Sequence, residues 1–421
     1  MKKRRICMVT NWYPDEKNPY KGVFFKEQAF ALSQHFDFLI LHYTEVKKIP
    51  SLLYFILWIQ KKHFIVTKTR NEENTLEYNI TALFPMYVII ADMFHDFYMR
   101  YIVRSAKEGI GSYISNIYKK RKKRILSEIF KKSLHEEFDV LYCVDAQAES
   151  YTLKIISEIT GKPYVVSEHA PFPWPGTSIK DIEHEAISEA ALFFAISHDK
   201  IRQVMLQNIR LKRIAYVGNM VDETQFVLGN EKSDIKTFVI VAAHSFYKNY
   251  PLFIDVFERL TEITEVPFKI KVVGYGANKG YSKGEKQLEQ LLLESKFSHN
   301  LILIPEISHD KIQEIYMNSD AFVMTSIQEG MPVSALEAAC CGLPIFSTMC
   351  GGVEDFVNDK VGRIYKVMDT EAFAEGLKTY LEEELVFNPD YIREYVVNMF
   401  GKKVFVENIA KEFNEVIDAS K

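Results

Sequence analysis

No C-x-x-C pair occurs among the five cysteines, Cys7, Cys143, Cys340, Cys341 and Cys350, which argues against a zinc ribbon or a disulfide framework. Their odd number and scattered positions suit buried thiols in a reducing cytoplasm. Long apolar runs are also missing. The strongest, Leu52 to Ile59, falls well short of the ~20 residues needed to cross a bilayer. The basic start, Lys2 to Arg5, leads into an apolar stretch, Ile6 to Thr10, that is too short for a signal peptide and reads as a first strand. Charge of one sign is lacking too: a net charge of −4 leaves no whole-chain footprint for nucleic acid. No internal repeat or low-complexity tract breaks the chain.

What remains is a globular composition at a length of 421 residues, too long for one ordinary domain and comfortable for two. The most informative stretch is Asp320 to Phe356, DAFVMTSIQEGMPVSALEAACCGLPIFSTMCGGVEDF. Ala321 to Thr325 has the length and β-branched content of a buried parallel strand. A loop, Ser326 to Met331, follows, and Pro332 suits a first helical residue because its missing N–H costs nothing there. The helix should end at Gly342, with Pro344 just beyond. Leu343 to Ser347 reads as the next strand, after which Gly351-Gly352 turns the chain toward another helix.

This strand–loop–helix–strand unit places its loop at the carboxyl edge of a parallel sheet, where open α/β sheets bind ligands. Backbone N–H groups from Gly330 to Ser334, at a helix start, suit an anion such as phosphate. Glu329 and Glu337 flank them. In one continuous helix they would lie about 80° apart around the axis; with Glu329 in the loop both can face one crevice. Carboxylates accept hydrogen bonds from vicinal hydroxyls, so a ribose and a hexose on either side of a phosphate fit this corner. Two solvated glutamates placed there by chance explain the pair alone equally well.

The wider pattern, E-G-M-P-x-S-x-x-E-A-x-x-C-G-L-P followed by G-G-x-x-D/E, closely resembles the signature of retaining glycosyltransferases of family 4. The resemblance implies a GT-B fold, with two Rossmann-like parallel-sheet domains facing each other across a cleft that holds a nucleotide sugar. On it, Glu329 contacts donor-sugar hydroxyls, Glu337 the nucleotide ribose, and the backbone of Gly330, Met331, Pro332, Val333 and Ser334 lies near the sugar and diphosphate. The family also places a lysine and an arginine on the diphosphate, in the loop after the second domain's first strand. Lys248 matches the lysine. The arginine position falls on Ala243 or His244, so charge compensation would rest more heavily on Lys248 and backbone amides.

Taken in order, Arg5 to Thr10 reads as strand one and Phe24 to Leu32 as a helix. Gly22 lies between them, where a glycine lets backbone approach a ligand or forms a plain turn. Phe36 to Tyr43 is a second strand, and Thr44 to Leu134 carries the weakest pattern. Phe138 to Val144 and Pro163 to Ser167 are further strands. The latter delivers Glu168 and His169 to the carboxyl edge, where the family places a histidine beside the donor sugar. Gly218-Asn219-Met220-Val221-Asp222 and Phe226 resemble the family's crossing into the second domain, and 229–234 reads as a linker. Thr237 to Ala243 and Phe268 to Val273 are strands, Gly274 standing where the family has a strand-end glycine near the base. Leu301 to Pro305 is a strand, Ser308 to Asn318 a helix, and Lys402 to Ala419 the final helix.

The expected organisation is an acceptor-binding domain over 1–220, a nucleotide-sugar-binding domain over 221–400, and a last helix, 401–421, packed back on the first. His169, Glu329 and Lys248 are the candidate catalytic residues; Gly22, Lys248, Gly274, Gly330 to Ser334 and Glu337 are the candidate donor-binding residues. The implied function is a retaining, metal-independent transfer from a UDP- or GDP-linked sugar to a glycan or lipid-linked acceptor in surface polysaccharide biosynthesis. No Asp-x-Asp metal motif is present, and neither a metal nor a separate cofactor is expected. The segment 94–134, with the basic run Lys119 to Arg124, suits peripheral contact with an anionic membrane from the cytoplasmic side; a solvated helix face or a nucleic-acid patch fits the same residues, and the resemblance, whose members often act on lipid-linked acceptors, favours the membrane. An epimerase of the same fold and a non-catalytic partner subunit fit the same motifs.

Overall fold

The computed structural model describes residues 3–14, 22–46, 64–70, 75–83, 109–174, 176–229, 234–276 and 283–421. Within these residues two sheets form. The first contains β1 (Arg4–Val9), β2 (Phe36–Val46), β3 (Phe64–Arg70), β4 (Leu76–Leu83), β5 (Val140–Cys143), β6 (Tyr164–Ser167), β7 (Leu192–Ala195) and β8 (Ile214–Tyr216) in the order β3-β4-β2-β1-β5-β6-β7-β8. All its pairings are parallel except β3 with β4. The second contains β9 (Lys236–Val241), β10 (Phe268–Val273), β11 (Leu301–Ile304), β12 (Ala321–Met324), β13 (Ile345–Thr348) and β14 (Gly362–Tyr365), all parallel, in the order β11-β10-β9-β12-β13-β14. Read along the chain, the second order is 3-2-1-4-5-6, the dinucleotide-binding arrangement.

Strand composition accounts for the layering. A parallel sheet is covered on both faces, so its strands are apolar at every position rather than at alternate ones. In β1, Ile6 and Met8 enter one core while Cys7 and Val9 enter the other. Helices α1 (Val23–Leu32), α2 (Gly109–Lys132), α3 (Ala146–Thr160), α4 (Asp181–Glu189) and α5 (His198–Leu206) belong to the first half. The second sheet is flanked by α6 (Tyr250–Ile263), α7 (Lys283–Glu294), α8 (Ile312–Met317), α9 (Val333–Cys340), α10 (Thr370–Leu381) and α11 (Pro389–Phe400). Gly342 (φ +82°) ends α9 as expected: its N–H donates to the Ala339 carbonyl and Leu343 N–H to that of Ala338, the paired bonds of a Schellman cap.

The last helix, α12 (Lys402–Ala419), leaves the second half and packs on the first sheet. Phe405, Ile409, Phe413 and Ile417 enter the core lined by Ile6, Met8, Phe36 and Val140, and the Phe413 ring meets those of Phe36, Tyr142 and Phe194. Both chain crossings between the halves run side by side. Val221 N–H donates to the Phe400 carbonyl at 3.0 Å, and Lys402 pairs with Asp222 at 2.8 Å.

The structure differs from the sequence reading in several places. The weakly patterned region contributes β3 and β4 at the sheet edge, where exposure on one side dilutes the apolar signal. The helix expected over 308–318 is shorter, a 3-10 turn, His309–Lys311, followed by α8. The turn after Gly351-Gly352 is a 3-10 turn, Val353–Asp355, rather than a helix. Leu52 to Ile59 and residues 94–108 lie outside the described residues. Replacing Phe413 with Ala should leave a cavity in the first half's core and lower stability by about 3–5 kcal/mol, measured by chemical denaturation.

Candidate active site

Two neighbouring strands whose connections leave in opposite directions open a crevice at their carboxyl ends. In the second sheet these are β9 and β12. The loops that follow them are tied together: Ile327 N–H donates to the Tyr247 carbonyl at 2.7 Å and the Thr325 hydroxyl to the Lys248 carbonyl at 3.1 Å. Lys248, at the end of the 3-10 turn Phe246–Lys248, is thereby carried to Glu329. Its Nζ lies 2.7 Å from Glu329 Oε1, and Ser326 Oγ donates to the same oxygen at 2.7 Å.

Gly330 and Met331 follow, and α9 opens at Val333. Pro332 (φ −73°, ψ 109°) is the residue before the helix rather than its first turn, a one-residue correction. The first N–H groups of α9, including those of Val333 and Ser334, face this corner without partners inside the helix. Met331 is fixed from the other half: Asn219 Nδ2 donates to its carbonyl at 2.8 Å. Gly330 is pressed against the first half, where a Cβ would stand 2.6 Å from the His169 carbonyl.

His169 sits just beyond β6. Phe25 packs edge-on to its ring at 4.8 Å, Phe24 lies at 5.9 Å, and Nε2 is 3.2 Å from Ser167 Oγ. Nδ1 is enclosed with no hydrogen-bond partner among the described residues. Burial and then the nearby Lys200 ammonium push the imidazole down to about 3, so it is neutral at physiological pH. A neutral ring can present one N–H to a hydroxyl or oxyanion. Glu168 is different. It is fully buried, accepts from the N–H groups of Gln147 and Ala170, and is pushed up by burial and Asp145. It anchors local backbone.

Glu337 projects from α9, buried against a histidine that sequence reasoning passed over. His309 Nε2 lies 2.9 Å from Glu337 Oε1, and Tyr316 OH donates to Oε2 at 3.1 Å. No spacing or motif in the sequence marks His309, because its partners come from α1 and α9, far apart in the chain.

The two remaining glycines have backbone explanations. Gly22 adopts φ +66° before α1, and a Cβ there would meet the Trp12 carbonyl at 2.5 Å. Gly274 adopts φ +80° at the end of β10, beside open space. His244 lies against Gly284 at the start of α7, whose Cβ would approach the ring to 2.8 Å. Lys122, in the middle of the basic run, does not face outward: it is buried and bonded to Glu45 at 2.8 Å. Burial alone would lower its pKa, but Glu45 and Tyr43 hold it up at about 12. Lys120, Lys123 and Arg124 are exposed.

The chain is similar to known proteins in sequence and in fold. Residues 221–399 match the family model described as glycosyl transferases group 1. The lipopolysaccharide 1,6-galactosyltransferase of Salmonella typhimurium is 23% identical over 66% of this chain and 74% of its own. A putative teichuronic acid biosynthesis glycosyltransferase, TuaC of Bacillus subtilis, is 21% identical over 92% of this chain and 91% of its own. Among solved structures, Anabaena HepE in complex with UDP superposes with a TM-score of 0.66 at 13% identity, covering 98% of this chain and 100% of that one. At that identity the likeness speaks to the fold, which is GT-B.

The depressed His169 basicity has a thermodynamic consequence. Below its ordinary range, near 6.5, the unfolded chain takes up a proton that the folded protein refuses, so this site costs stability as pH falls. Between pH 7 and pH 5, His169→Asn should lose less stability than the parent protein, by about 2 kcal/mol, in urea titrations at the two pH values.

Proposed function

Because residues 221–399 match the group 1 glycosyl transferases, we propose that this chain is one of them and transfers a sugar from a nucleoside diphosphate to a hydroxyl of a glycan or lipid-linked acceptor, with retention of anomeric configuration and without a metal. The observation that carries this reading is the corner where Lys248 and Glu329 of one half meet His169 of the other across Gly330. In it the ribose lies on Glu337, the diphosphate beside Lys248 and the N–H groups opening α9, and the sugar between Glu329 and His169.

The Lys248 ammonium has three protons and gives one to Glu329, so others remain for phosphate oxygens. As the glycosidic C–O bond breaks, charge develops on the diphosphate, and Lys248 with the helix-end dipole stabilises it more than the ground state. Glu329 is held by Lys248 and Ser326, which suits a hydrogen-bond acceptor for sugar hydroxyls better than a nucleophile. The acceptor hydroxyl then attacks from the face the diphosphate leaves, and the departing phosphate oxygen takes its proton. Support for a nucleotide donor comes from the HepE neighbour, whose structures hold UDP, glucose and UDP-glucose. A surface glycan acceptor agrees with the names of the lipopolysaccharide and teichuronic acid relatives. Such an enzyme would work in the cytoplasm, at the inner face of the membrane.

A thermal-shift screen with UDP, GDP and their sugar conjugates, in the presence of a chelator, tests the donor site. Saturation at 100 times the dissociation constant should stabilise the fold by about 2.7 kcal/mol. Lys248→Ala should abolish the shift, and Glu329→Ala should lower turnover by at least about 100-fold in a protein that still melts cooperatively. A folded parent protein that responds to no nucleotide would remove the donor reading. Proton NMR of the product reads the anomeric configuration, and inversion would overturn the mechanism.

Peripheral membrane contact through α2 rests on its outward residues, Lys120, Lys123 and Arg124, Lys123 and Arg124 being partly paired with Glu158 and Glu128. Changing these three to Glu should release the protein from anionic vesicles at physiological salt, because each basic residue near such a surface contributes about 1 kcal/mol. Vesicle sedimentation that is unchanged would refute the contact.

A further inference from the structure

One charged group at the cleft has no part in the chemistry above. His309 stands in the 3-10 turn His309–Lys311 before α8, its ring 6.0 Å from that of Phe226 and its carbonyl accepting from Gln225 Nε2 at 3.3 Å. Its two ring nitrogens point to carboxylates on opposite halves of the protein. Nε2 is 2.9 Å from Glu337 Oε1 on α9, and Nδ1 is 3.0 Å from Glu27 Oε1 on α1. Both nitrogens can donate at once only in the imidazolium form. Its charge is held by those two carboxylates, Glu27 first, which push the group up to about 10. The Tyr316 phenol on α8 faces the same pair through Glu337, and Asp310 and Lys311 flank the ring on its own turn.

Glu337 is thus gripped on both oxygens, by His309 on Oε1 and Tyr316 on Oε2. A carboxylate has about four lone-pair sites. One on each oxygen is occupied by these donors, and the others are left for the hydroxyls of a ligand. An unheld glutamate would have to give up its side-chain rotamers when such a ligand bound. Here the two donors have already fixed it.

We propose that His309 is a positioning residue for the donor: it presents Glu337 to the 2′- and 3′-hydroxyls of the nucleotide ribose and links that grip to Glu27 of the acceptor half, so that ribose is held best when the two halves are together. This rests on the reading of Glu337 as the ribose ligand given above. Donor binding and cleft closure then share one imidazolium. Losing the Glu27 contact loosens the ring, the loosened ring frees Glu337, and the hydroxyls lose a fixed partner.

The readout is the ratio of affinities for UDP and 2′,3′-dideoxy-UDP, with GDP and its dideoxy form in parallel, measured by calorimetry on the full chain. A ratio cancels any general weakening of the fold, which a merely structural role would produce. The parent protein should prefer the ribonucleotide, and Glu337→Gln should abolish the preference. His309→Gln should cut it about tenfold, as loss of a charge-assisted hydrogen bond does. Glu27→Gln, which leaves the Glu337 contact in place, should cut it about threefold. Tyr316→Phe keeps the buried volume and should act in the same direction as His309→Gln, so the grip can be tested even if the histidine variant fails to fold. Full preference in His309→Gln or in Tyr316→Phe overturns the positioning role, and full preference in Glu27→Gln overturns the link across the cleft. Full preference in Glu337→Gln shows instead that the ribose lies elsewhere, and a parent protein that binds neither nucleotide removes the donor reading itself; either result also ends the proposal.

Discussion

The two halves meet backbone to backbone, and that closeness constrains everything around the cleft. A side chain at Gly330 would run into the His169 carbonyl and Ile196, one at Gly351 would stand 2.7 Å from Asp199, and one at Gly352 would overlap Gly330 itself. Gly351 and Gly352 also adopt φ of +88° and +69°, a region costly for any other residue. With no side chain at Gly330, the loop carrying Glu329 can lie directly against the strand end carrying His169.

Burial sets the protonation states around that seam. Near β6, desolvation lowers His169 and Lys200 and raises Glu168, all by disfavouring the charged form. Across the cleft, His309 moves the opposite way because two carboxylates outweigh its partial burial. A neutral His169 and a cationic His309 follow from their neighbours alone. Each tautomer or charge suits its surroundings: a single N–H facing hydroxyls at His169, two N–H donors facing anions at His309.

Much of this was legible from Asp320 to Phe356, because local rules and tertiary demands agree there. The apolar strand, the loop acid and the glycine stop each follow from a short-range preference, and the Schellman bonds at Gly342 satisfy the last, while the proline opening lay one residue outside the helix. Lys402 to Ala419 was legible in full as a helix, and its packing on the first half followed from the family resemblance. The strands β3 and β4 were not, because an antiparallel edge pair mixes polar and apolar residues freely. Lys122 misled for a related reason: in a run of six basic residues nothing local distinguishes the one that turns inward to Glu45. His309 was invisible because its two carboxylate partners lie on helices brought together only by closure of the halves.

The missing arginine bears on how such a site balances charge. A guanidinium would have offered a fixed planar fork to the diphosphate, whereas Lys248 offers a compact, rotatable point charge. Lys248 is already partly neutralised by Glu329, so the field it presents to a phosphate is weaker than that of a free ammonium. The start of α9 adds about half an elementary charge, but this too is fixed by the fold and cannot move toward the leaving group. His309 changes the balance on the nucleotide side. Its single positive charge offsets half that of Glu337 and Glu27, two carboxylates that would otherwise oppose an anionic ligand more strongly at short range. On the donor reading proposed above, a site with one diphosphate cation can remain receptive to a nucleotide, because part of the charge of its acidic wall is offset from behind rather than by the ligand.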